Sequence, residues 1–297
     1  MFSYQHIFHA GNHADILKHQ VLIQVIESLN KKEKPYTFFD THSGSGLYDL
    51  KDNRSLKTGE AEKGIELLSK VSGDLPPALE KYLNFVSVYL QNGRYPGSPE
   101  IERRLLRTQD KLVLSELHPQ EIENLRNNMK ESRQNENSSQ EKSSPSVQIH
   151  KRDGWEMLTA LTPPPTKRGA VLIDPSYEEV SDYQQAADTI LTVHKKWSNG
   201  IIMLWYPLLS HREGEINSML DRITEGARAL NQNIEIEDLR LEVYEKDAHK
   251  EVSLEEYLHS SEKNPPRLYG SGMLVLNAPW KLKEEIEKSI NFLKNVI

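Results

Sequence analysis

Apolar and polar positions along the chain follow two periods, one typical of strands and one typical of helices. Seven short apolar runs, each followed by turn residues, predict strands with their adjoining loops at 37–46, 111–119, 146–154, 169–175, 200–207, 239–245 and 272–279. Several runs are apolar at consecutive positions, so both faces of those strands are expected to be buried. Helical patterns separate most of the runs, which predicts an α/β fold with a mostly parallel, doubly covered sheet.

Three of the helical patterns have boundaries that can be read from the residues. The first, at 12–30, has Asn12 as its expected N-cap. The second, at 98–110, is predicted to begin with Ser98 as N-cap and Pro99 at the first helical position. The third, at 280–296, follows the last predicted strand.

The spacing between the first strand and its following helix is unusually long. In a nucleotide-binding unit the helix follows the glycine-rich loop directly, whereas here residues 47–97 intervene and carry two helical patterns. We therefore predict a small helical subdomain at 47–97, inserted into a sheet domain formed by 1–46 and 98–297. The segment 130–146 is polar and almost free of apolar residues, which predicts a mobile surface loop.

Composition narrows the class of protein. The 297 residues carry a formal net charge of −7, and 37% are hydrophobic, an ordinary balance for a globular protein. The absence of cysteine excludes disulfides and thiolate metal sites, and it fits a reducing compartment. No signal peptide or membrane-spanning run is visible, so a cytoplasmic protein without a membrane partner is expected. The acidic total argues against a general nucleic-acid coat but permits a local basic patch.

Chemically useful residues follow four successive predicted strands. In a doubly wound sheet, ligands bind outside the carboxyl ends of the strands, so these residues are expected to meet at one edge. A carboxylate after the second strand could accept from ribose hydroxyls, and an Asp after the third from an adenine amine. This pattern favours an adenosyl ligand. The residues concerned are Asp40, His42, Gly44, Gly46, Glu116, Asp153, Gly154, Asp174, Pro175, Ser176 and Tyr177.

Other chemistries have less support. The loop after the first strand reads HSGSG, which is not a complete G-x-G-x-x-G, and neither a hydrolase G-x-S-x-G nor a Walker motif is present. His9 and His13 have the i, i+4 spacing that can hold a metal, but no H-E-x-x-H accompanies them. We expect no metal site.

A family resemblance rests on specific blocks of residues. Asp174-Pro175-Ser176-Tyr177 resembles the (D/N/S)-P-P-(Y/F/W) motif of methyltransferases that modify the adenine amine. The chain closely resembles the family of the large-subunit rRNA adenine methyltransferase J from Ser3 to about Leu282. The blocks that carry the resemblance lie at 4–19, 38–48, 95–99, 115–119, 153–155, 204–207 and 270–282.

The resemblance implies a Rossmann-like methyltransferase fold with an inserted helical subdomain, and methylation of the exocyclic amine of one adenine in 23S rRNA. It implies Asp174 as the catalytic residue and Tyr4 as a substrate contact. We expect the substrate to be rRNA free of ribosomal proteins at the target, and we expect the protein to be a monomer. The implied contacts to S-adenosylmethionine are His19, His42, Ser98, Glu116, Asp153, Gly154 and Asp174.

From the chemistry of the amine we hypothesise that Asp174 and the Pro175 carbonyl accept its hydrogen bonds while Tyr177 stacks on the base. Ser176 departs from the family pattern, which usually has a second proline there. The segment before the first helix is expected to act as a lid, and Arg103, Arg104 and Arg107 are candidate RNA contacts. A DNA adenine methyltransferase, or a non-catalytic binder concerned with the use of external DNA, remain alternatives.

Overall fold

The computed structural model describes residues 5–137, 144–246 and 268–297, without the side chains of 131–137. Seven strands of this part form one sheet in the order β5-β4-β1-β6-β7-β9-β8, and two more form a separate ribbon. The strands are β1 (Thr37–Asp40), β2 (Leu47–Asp49), β3 (Arg94–Pro96), β4 (Lys111–Ser115), β5 (Ser146–His150), β6 (Gly169–Ile173), β7 (Ile201–Leu209), β8 (Ile236–Glu242) and β9 (Leu268–Leu276).

The sheet is mostly parallel, as the sequence predicts. Strands β5, β4, β1, β6 and β7 pair in parallel, and β9 and β8 add an antiparallel edge. Strand β1 lies in the interior of the sheet, with Phe39 opposite Val113 of β4 and Val171 of β6. The chain leaves β1 towards β4 and later returns to β6 on the other side, which opens a crevice at the carboxyl ends of these strands.

Helices cover both faces of the sheet. One face packs against α1, α4 and α9, and the other against α6, α7 and α8, with a separate apolar core on each side. Among the described helices, none is long and apolar enough to cross a bilayer. The helices are α1 (His13–Asn30), α2 (Asn53–Thr58), α3 (Pro77–Leu90), α4 (Ser98–Leu105), α5 (Pro119–Asn137), α6 (Gly154–Leu161), α7 (Ser181–Lys196), α8 (Glu213–Leu230) and α9 (Leu282–Leu293).

The insertion after β1 contains helices and a two-stranded ribbon. Strands β2 and β3 pair in antiparallel fashion at its base, and the Gly97 N–H donates to the Gly46 carbonyl at 2.9 Å, which closes the neck. Between them lie α2, a short π-helix (Glu62–Glu66) and α3. Ile65, Leu79 and Tyr82 of this insertion share one core with α1. Residues 47–97 thus contain helices and also a ribbon that the sequence did not predict, while the division into a sheet domain and an inserted subdomain stays a prediction.

Helix α1 begins as predicted, because the Asn12 side chain accepts from the N–H groups of Ala14 and Asp15 at 3.0 Å. Helix α4 does not. Gly97 occupies its N-cap position, and the Ser98 hydroxyl donates to Asp40 at 2.7 Å. The prediction of Ser98 as a cap is therefore wrong, since a buried carboxylate takes its hydroxyl. The helix also ends at Leu105, short of the predicted 110.

The polar loop predicted at 130–146 starts later than expected. Helix α5 continues to Asn137, and β5 begins at Ser146. A polar composition does not end a helix when the segment lacks Gly and Pro, as 130–137 does. The rest of the predicted loop, residues 138–143, lies outside the described residues, as do 247–267.

Candidate active site

A cavity of about 320 Å³ lies at the carboxyl ends of the central strands. It is formed by the loops after β1, β4, β5 and β6, together with α1 and the start of α4. The structure brings together all but two of the residues predicted for cofactor and substrate. Those that line the cavity are His19, His42, Ser98, Glu116, Asp153, Gly154, Asp174 and Pro175.

Glu116, directly after β4, is held by the backbone on both of its oxygens. The Gly44 N–H donates to Oε2 and the His118 N–H to Oε1, each at 2.7 Å. Burial raises the pKa of Glu116, and these N–H donors oppose the shift. Gly44 has a φ of +57°, and a Cβ there would lie 2.3 Å from the Tyr48 hydroxyl oxygen, so the loop requires glycine at this position.

Asp153 and Gly154 form the start of α6. Asp153 Oδ1 accepts from the Glu156 N–H at 2.9 Å, so this carboxylate caps the helix while it lines the cavity. A Cβ on Gly154 would lie 2.1 Å from the Thr41 carbonyl oxygen. The glycine therefore allows α6 to meet the end of β1 closely, which places both residues beside the cavity.

His42 is fixed in the loop after β1. Its Nδ1 pairs with the Thr41 hydroxyl at 2.7 Å, and its ring meets the Trp155 ring edge-on at 5.0 Å between centroids. Burial lowers the pKa of His42 to about 4, although the carboxylates of Asp174 and Asp153 oppose the shift. At neutral pH this side chain is an uncharged imidazole at the cavity wall.

A buried acidic pair lies beneath the cavity. Asp40 accepts from the Ser98 hydroxyl at 2.7 Å and from the His42 N–H at 3.1 Å. Burial raises the pKa of Asp40 to about 6, and the Asp174 carboxylate adds to this effect. Glu102 of α4 is wholly buried and faces Asp40, and burial together with Asp40 raises its pKa well above the ordinary value. Two facing carboxyls cannot both ionise readily, so Glu102 holds a proton.

Sequence reasoning missed Lys18. Its ammonium donates to Asp174 Oδ2 at 2.6 Å and lies 2.8 Å from Asp15 Oδ1. Burial disfavours the charge on Lys18, but the two carboxylates outweigh burial and raise its pKa. The Asp15 carboxylate in turn contacts His6 at 2.9 Å. Lys18 and Asp15 lie three residues apart on α1, but this local spacing does not indicate the pairing of Lys18 with Asp174, which is 156 residues away in the sequence.

His19 lines the cavity, and one of its nitrogens, Nε2, has no hydrogen bond to the described residues and lies 4.0 Å from Asp15 Oδ1. Its Nδ1 pairs with the Tyr95 hydroxyl at 2.9 Å, and that hydroxyl pairs with Tyr82 at 2.9 Å. Its Nε2 is buried and has no hydrogen-bond partner among the described residues. Burial lowers the pKa of His19 to about 3, so the ring is neutral. An unsatisfied buried polar atom at a cavity wall indicates a ligand that would satisfy it.

The structure does not bring Tyr177 to the cavity. Its side chain is 8% exposed and packs in the core, with its ring centroid 4.7 Å from that of Tyr183. Its hydroxyl donates to the Trp205 carbonyl at 3.0 Å. In this arrangement the ring does not stack on a base in the cavity, because a φ of +51° at Tyr177 turns it inward. Tyr4 lies outside the described residues.

The predicted arginine patch on α4 is not formed. Arg103 is buried and makes two hydrogen bonds of 2.9 Å to Glu100. Arg107 binds Asp110 and the carbonyls of Lys32 and Lys34. These two guanidinium groups stabilise the fold, and Arg104 alone of the three is exposed.

Comparison with known proteins agrees with the resemblance. Residues 33–297 match the family model described as ribosomal RNA large subunit methyltransferase D, RlmJ. The ribosomal RNA large subunit methyltransferase J of Escherichia coli is 38% identical over 99% of this chain and 93% of its own length. The protein of the same name from Haemophilus influenzae is 33% identical over 100% of this chain and 94% of its own length. The chain belongs to the RlmJ family.

The fold agrees with this membership. The crystal structure of protein LPL1258 from Legionella pneumophila is 28% identical, covers 97% of this chain and 94% of its own, and superposes with a TM-score of 0.74. The match spans both the sheet and the insertion, so the Rossmann-like methyltransferase fold predicted from the sequence is confirmed. The roles of the individual site residues remain predictions.

Proposed function

We propose that this chain transfers a methyl group from S-adenosylmethionine to the exocyclic amine of an adenine in large-subunit ribosomal RNA. One observation supports this most directly: Asp174 and Pro175 line the same cavity as Glu116, Asp153 and His19. The first pair suits an adenine amine, and the other three suit an adenosyl cofactor. Family membership identifies the class of enzyme and of RNA.

The cavity has the donors and acceptors that S-adenosylmethionine requires. Glu116 is oriented to accept hydrogen bonds from the ribose hydroxyls, and Asp153 to accept one from the adenine amine. A bound ligand would supply the hydrogen bond that His19 Nε2 lacks among the described residues. His42, Ser98 and Gly154 complete the wall. When bound there, the cofactor supplies an electrophilic methyl group on its sulfonium.

The chain's own groups position the amine. Lys18 binds Asp174 on Oδ2, and within the described residues no donor contacts Oδ1, which is therefore available to one amine hydrogen. The Pro175 carbonyl accepts the other. Fixed acceptors of this kind aim the nitrogen lone pair, and positioning can contribute several kcal/mol to catalysis. Asp174 then receives the proton, directly or through water.

The remaining features of the reaction follow from this chemistry. The adenine must leave its stack to enter a cavity, which favours rRNA that is free of ribosomal proteins at the target. A sulfonium is already activated towards nucleophiles, so we propose a reaction without a metal. We further propose that a monomer suffices, since all of the named groups come from one chain, and that the enzyme works in the cytoplasm, where rRNA is made.

The test offers tritiated S-adenosylmethionine with deproteinised rRNA, assembled large subunits and duplex DNA in parallel. We expect label on the deproteinised rRNA and little on the other two. Asp174→Ala should lose turnover by orders of magnitude while cofactor still binds, whereas Glu116→Ala should lose cofactor affinity by roughly 1.5–3 kcal/mol. If DNA were labelled preferentially, the substrate would be DNA and not RNA. No labelling of any acceptor would leave a binding protein, and Ser176→Pro would show whether the missing proline is the cause.

A further inference from the structure

The cavity that receives the reacting base is a poor place to hold the rest of an RNA. Its wall carries seven carboxylates, and Lys18 is its one Lys or Arg among the described residues. The rim includes Glu178, Glu179 and Asp182. Phosphates approaching this rim are repelled, and the whole chain carries a net charge of −7. Because backbone contacts dominate RNA affinity, phosphate contacts must come from a surface elsewhere.

A second hollow, of about 830 Å³, lies at the opposite end of the sheet. It is formed by residues that precede β1, β6 and β7 and by Pro279, which follows β9. Its charged lining consists of Lys32, Lys34, Lys167 and Arg168 against Glu33. Trp280, next to Pro279, is 89% exposed. We call Lys32, Lys34, Lys167 and Trp280 the basal surface.

The lysines of the basal surface have free side chains on a fixed backbone. Within the described part of the chain, none of the three ammonium groups has an ion-pair partner, and all three residues are exposed. Their carbonyl groups, by contrast, are bound: Arg107 donates to the Lys32 and Lys34 carbonyls at 2.9 and 3.1 Å. The Lys167 carbonyl accepts from Trp197 at 2.9 Å. The backbone of these lysines is therefore fixed, while their ammonium groups remain available to an external anion.

Trp280 is also presented by a rigid turn. The Asn277 side chain donates to the carbonyls of Ser198 and Gly200 at 2.9 and 2.7 Å, and the Ala278 N–H donates to Glu235 at 3.2 Å. Lys281 follows with a φ of +67°, a conformation that ends the turn. A large aromatic ring left in water on an ordered turn is a ready platform for stacking.

We propose that the basal surface binds a second segment of the same rRNA, with Trp280 stacked on a base and the three lysines on neighbouring phosphates. This inference rests on the proposed function. The occupant is RNA because the surface combines unpaired cations with an exposed aromatic face, the two features that single-stranded nucleic acid requires. Strands of four to five residues separate the two sites, a length of about 15 Å, so only an extended RNA reaches both.

The decisive experiment compares full-length rRNA with the shortest transcript that the protein still methylates. Trp280→Ala should raise KM for full-length rRNA about ten-fold, with kcat unchanged and with no effect on the short transcript. Trp280→Phe, which keeps a stacking ring, should retain most of the affinity. Lys34→Glu and Lys167→Glu should each reduce the salt dependence of binding by roughly 0.7 in log–log slope. Lys294→Glu, an exposed charge reversal at the C-cap of α9, is the matched control.

Filter binding of full-length rRNA without cofactor separates this inference from the proposed activity. Weakened binding by Trp280→Ala supports the basal surface even if the wild-type protein methylates nothing, an outcome that would remove only the proposed function. Equal binding by the wild type and by Trp280→Ala, Lys34→Glu and Lys167→Glu would overturn the inference. A lower molecular mass of Trp280→Ala in solution would also overturn it, because the surface would then be an interface between two copies of the chain.

Discussion

At the scale of single residues, Lys18 determines how the reactive carboxylate is held. Its ammonium lies between Asp15 and Asp174 and is almost completely removed from water. An ion pair in such a place stabilises little by comparison with an apolar core, but the removal of one partner leaves the others as uncompensated buried charges. Lys18 therefore acts on both folding and the position of Asp174.

Lys18→Met should lower the free energy of unfolding by about 3–5 kcal/mol and abolish methyl transfer. Urea unfolding and a labelling assay measure the two effects. In the double variant Asp15→Asn/Lys18→Met, part of the stability should return because one buried charge has gone, while activity should not. Recovery of activity in the double variant would mean that Lys18 matters only for the fold.

Glu102 provides a pH-dependent test of the buried acidic pair. Its pKa is raised well above the ordinary 4.5 by burial and by Asp40, so the folded state keeps a proton that the unfolded state releases. The contribution of Glu102 to stability is then greatest below about pH 4.5 and falls as pH rises towards the folded pKa, by up to about 1.4 kcal/mol per pH unit. The other charged groups that face this pair are Lys18 and Asp174, with the Tyr36 hydroxyl nearby.

Glu102→Gln keeps the size and a hydrogen-bond donor but cannot ionise. The variant should match the wild type near pH 4.5 and become progressively more stable than it as pH rises, as thermal unfolding across that range would show. Glu62→Gln, at an exposed position, is the control. A stability difference that stays constant with pH would contradict the protonated state of Glu102.

Residue types at strand ends were predictable, whereas side-chain directions were not. The carboxylates at Glu116, Asp153 and Asp174 could be placed at one edge because parallel strands end together. Tyr177 could not be placed, because a single positive φ turns its ring into the core. Lys18 was missed since its partner Asp174 is 156 residues distant in sequence, and no local pattern records such a pair.

At the scale of elements, the segment before α1 and the insertion are joined by hydrogen bonds. The Ile65 N–H donates to the Gly11 carbonyl at 2.8 Å, and the Thr58 hydroxyl donates to the Phe8 carbonyl at 2.6 Å. Ile7 is buried between them. These contacts position the start of α1, the helix that carries Lys18 and His19. Whether the segment also acts as a lid stays a prediction.

The contact of these two elements requires a glycine. A Cβ on Gly64 would lie 2.3 Å from the Gly11 carbonyl oxygen and 3.0 Å from Asn12 Cα, both backbone atoms. Gly64→Ala should cost about 1–3 kcal/mol and reduce methyl transfer, because α1 must shift. Gly214→Ala is the matched control: nothing lies within 4 Å of its added Cβ, so this change in α8 should stabilise by about 0.5–1 kcal/mol. Destabilisation and activity are measured by urea unfolding and labelling.

The strands of the sheet and the bounds of α1 and α9 were predicted within a few residues, whereas α4 ends well before its predicted end and the ribbon was not predicted. Each of its strands has three residues, β3 ends in a proline, and neither shows an alternating pattern. Short strands become visible only when the chain between them folds and brings their ends together. The hydrophobic pattern therefore predicts helices and strands that have an apolar face of their own. It misses short strands that pair only after the chain between them has folded.

At the scale of the whole molecule, the insertion and the sheet share one apolar core. Ile65, Leu79 and Val86 belong to the same buried cluster as Ile16 of α1 and Leu293 of α9. A subdomain with its own core could unfold separately, but one that buries its apolar face against the sheet domain should not. Residues 47–97 thus interrupt the sheet domain in the sequence, but we expect them to unfold together with it.

We expect a single transition in calorimetry, with the calorimetric and van't Hoff enthalpies equal. S-adenosylmethionine at about 100 times its Kd should raise the unfolding free energy of the whole molecule by about 2.7 kcal/mol, because the cavity is built from α1, α4 and the strand ends together. Glu116→Ala should lose most of this increase at the same ligand concentration while keeping one transition. Two transitions, of which the cofactor raises the temperature of the second but not of the first, would contradict this expectation. They would show that the insertion folds independently of the site.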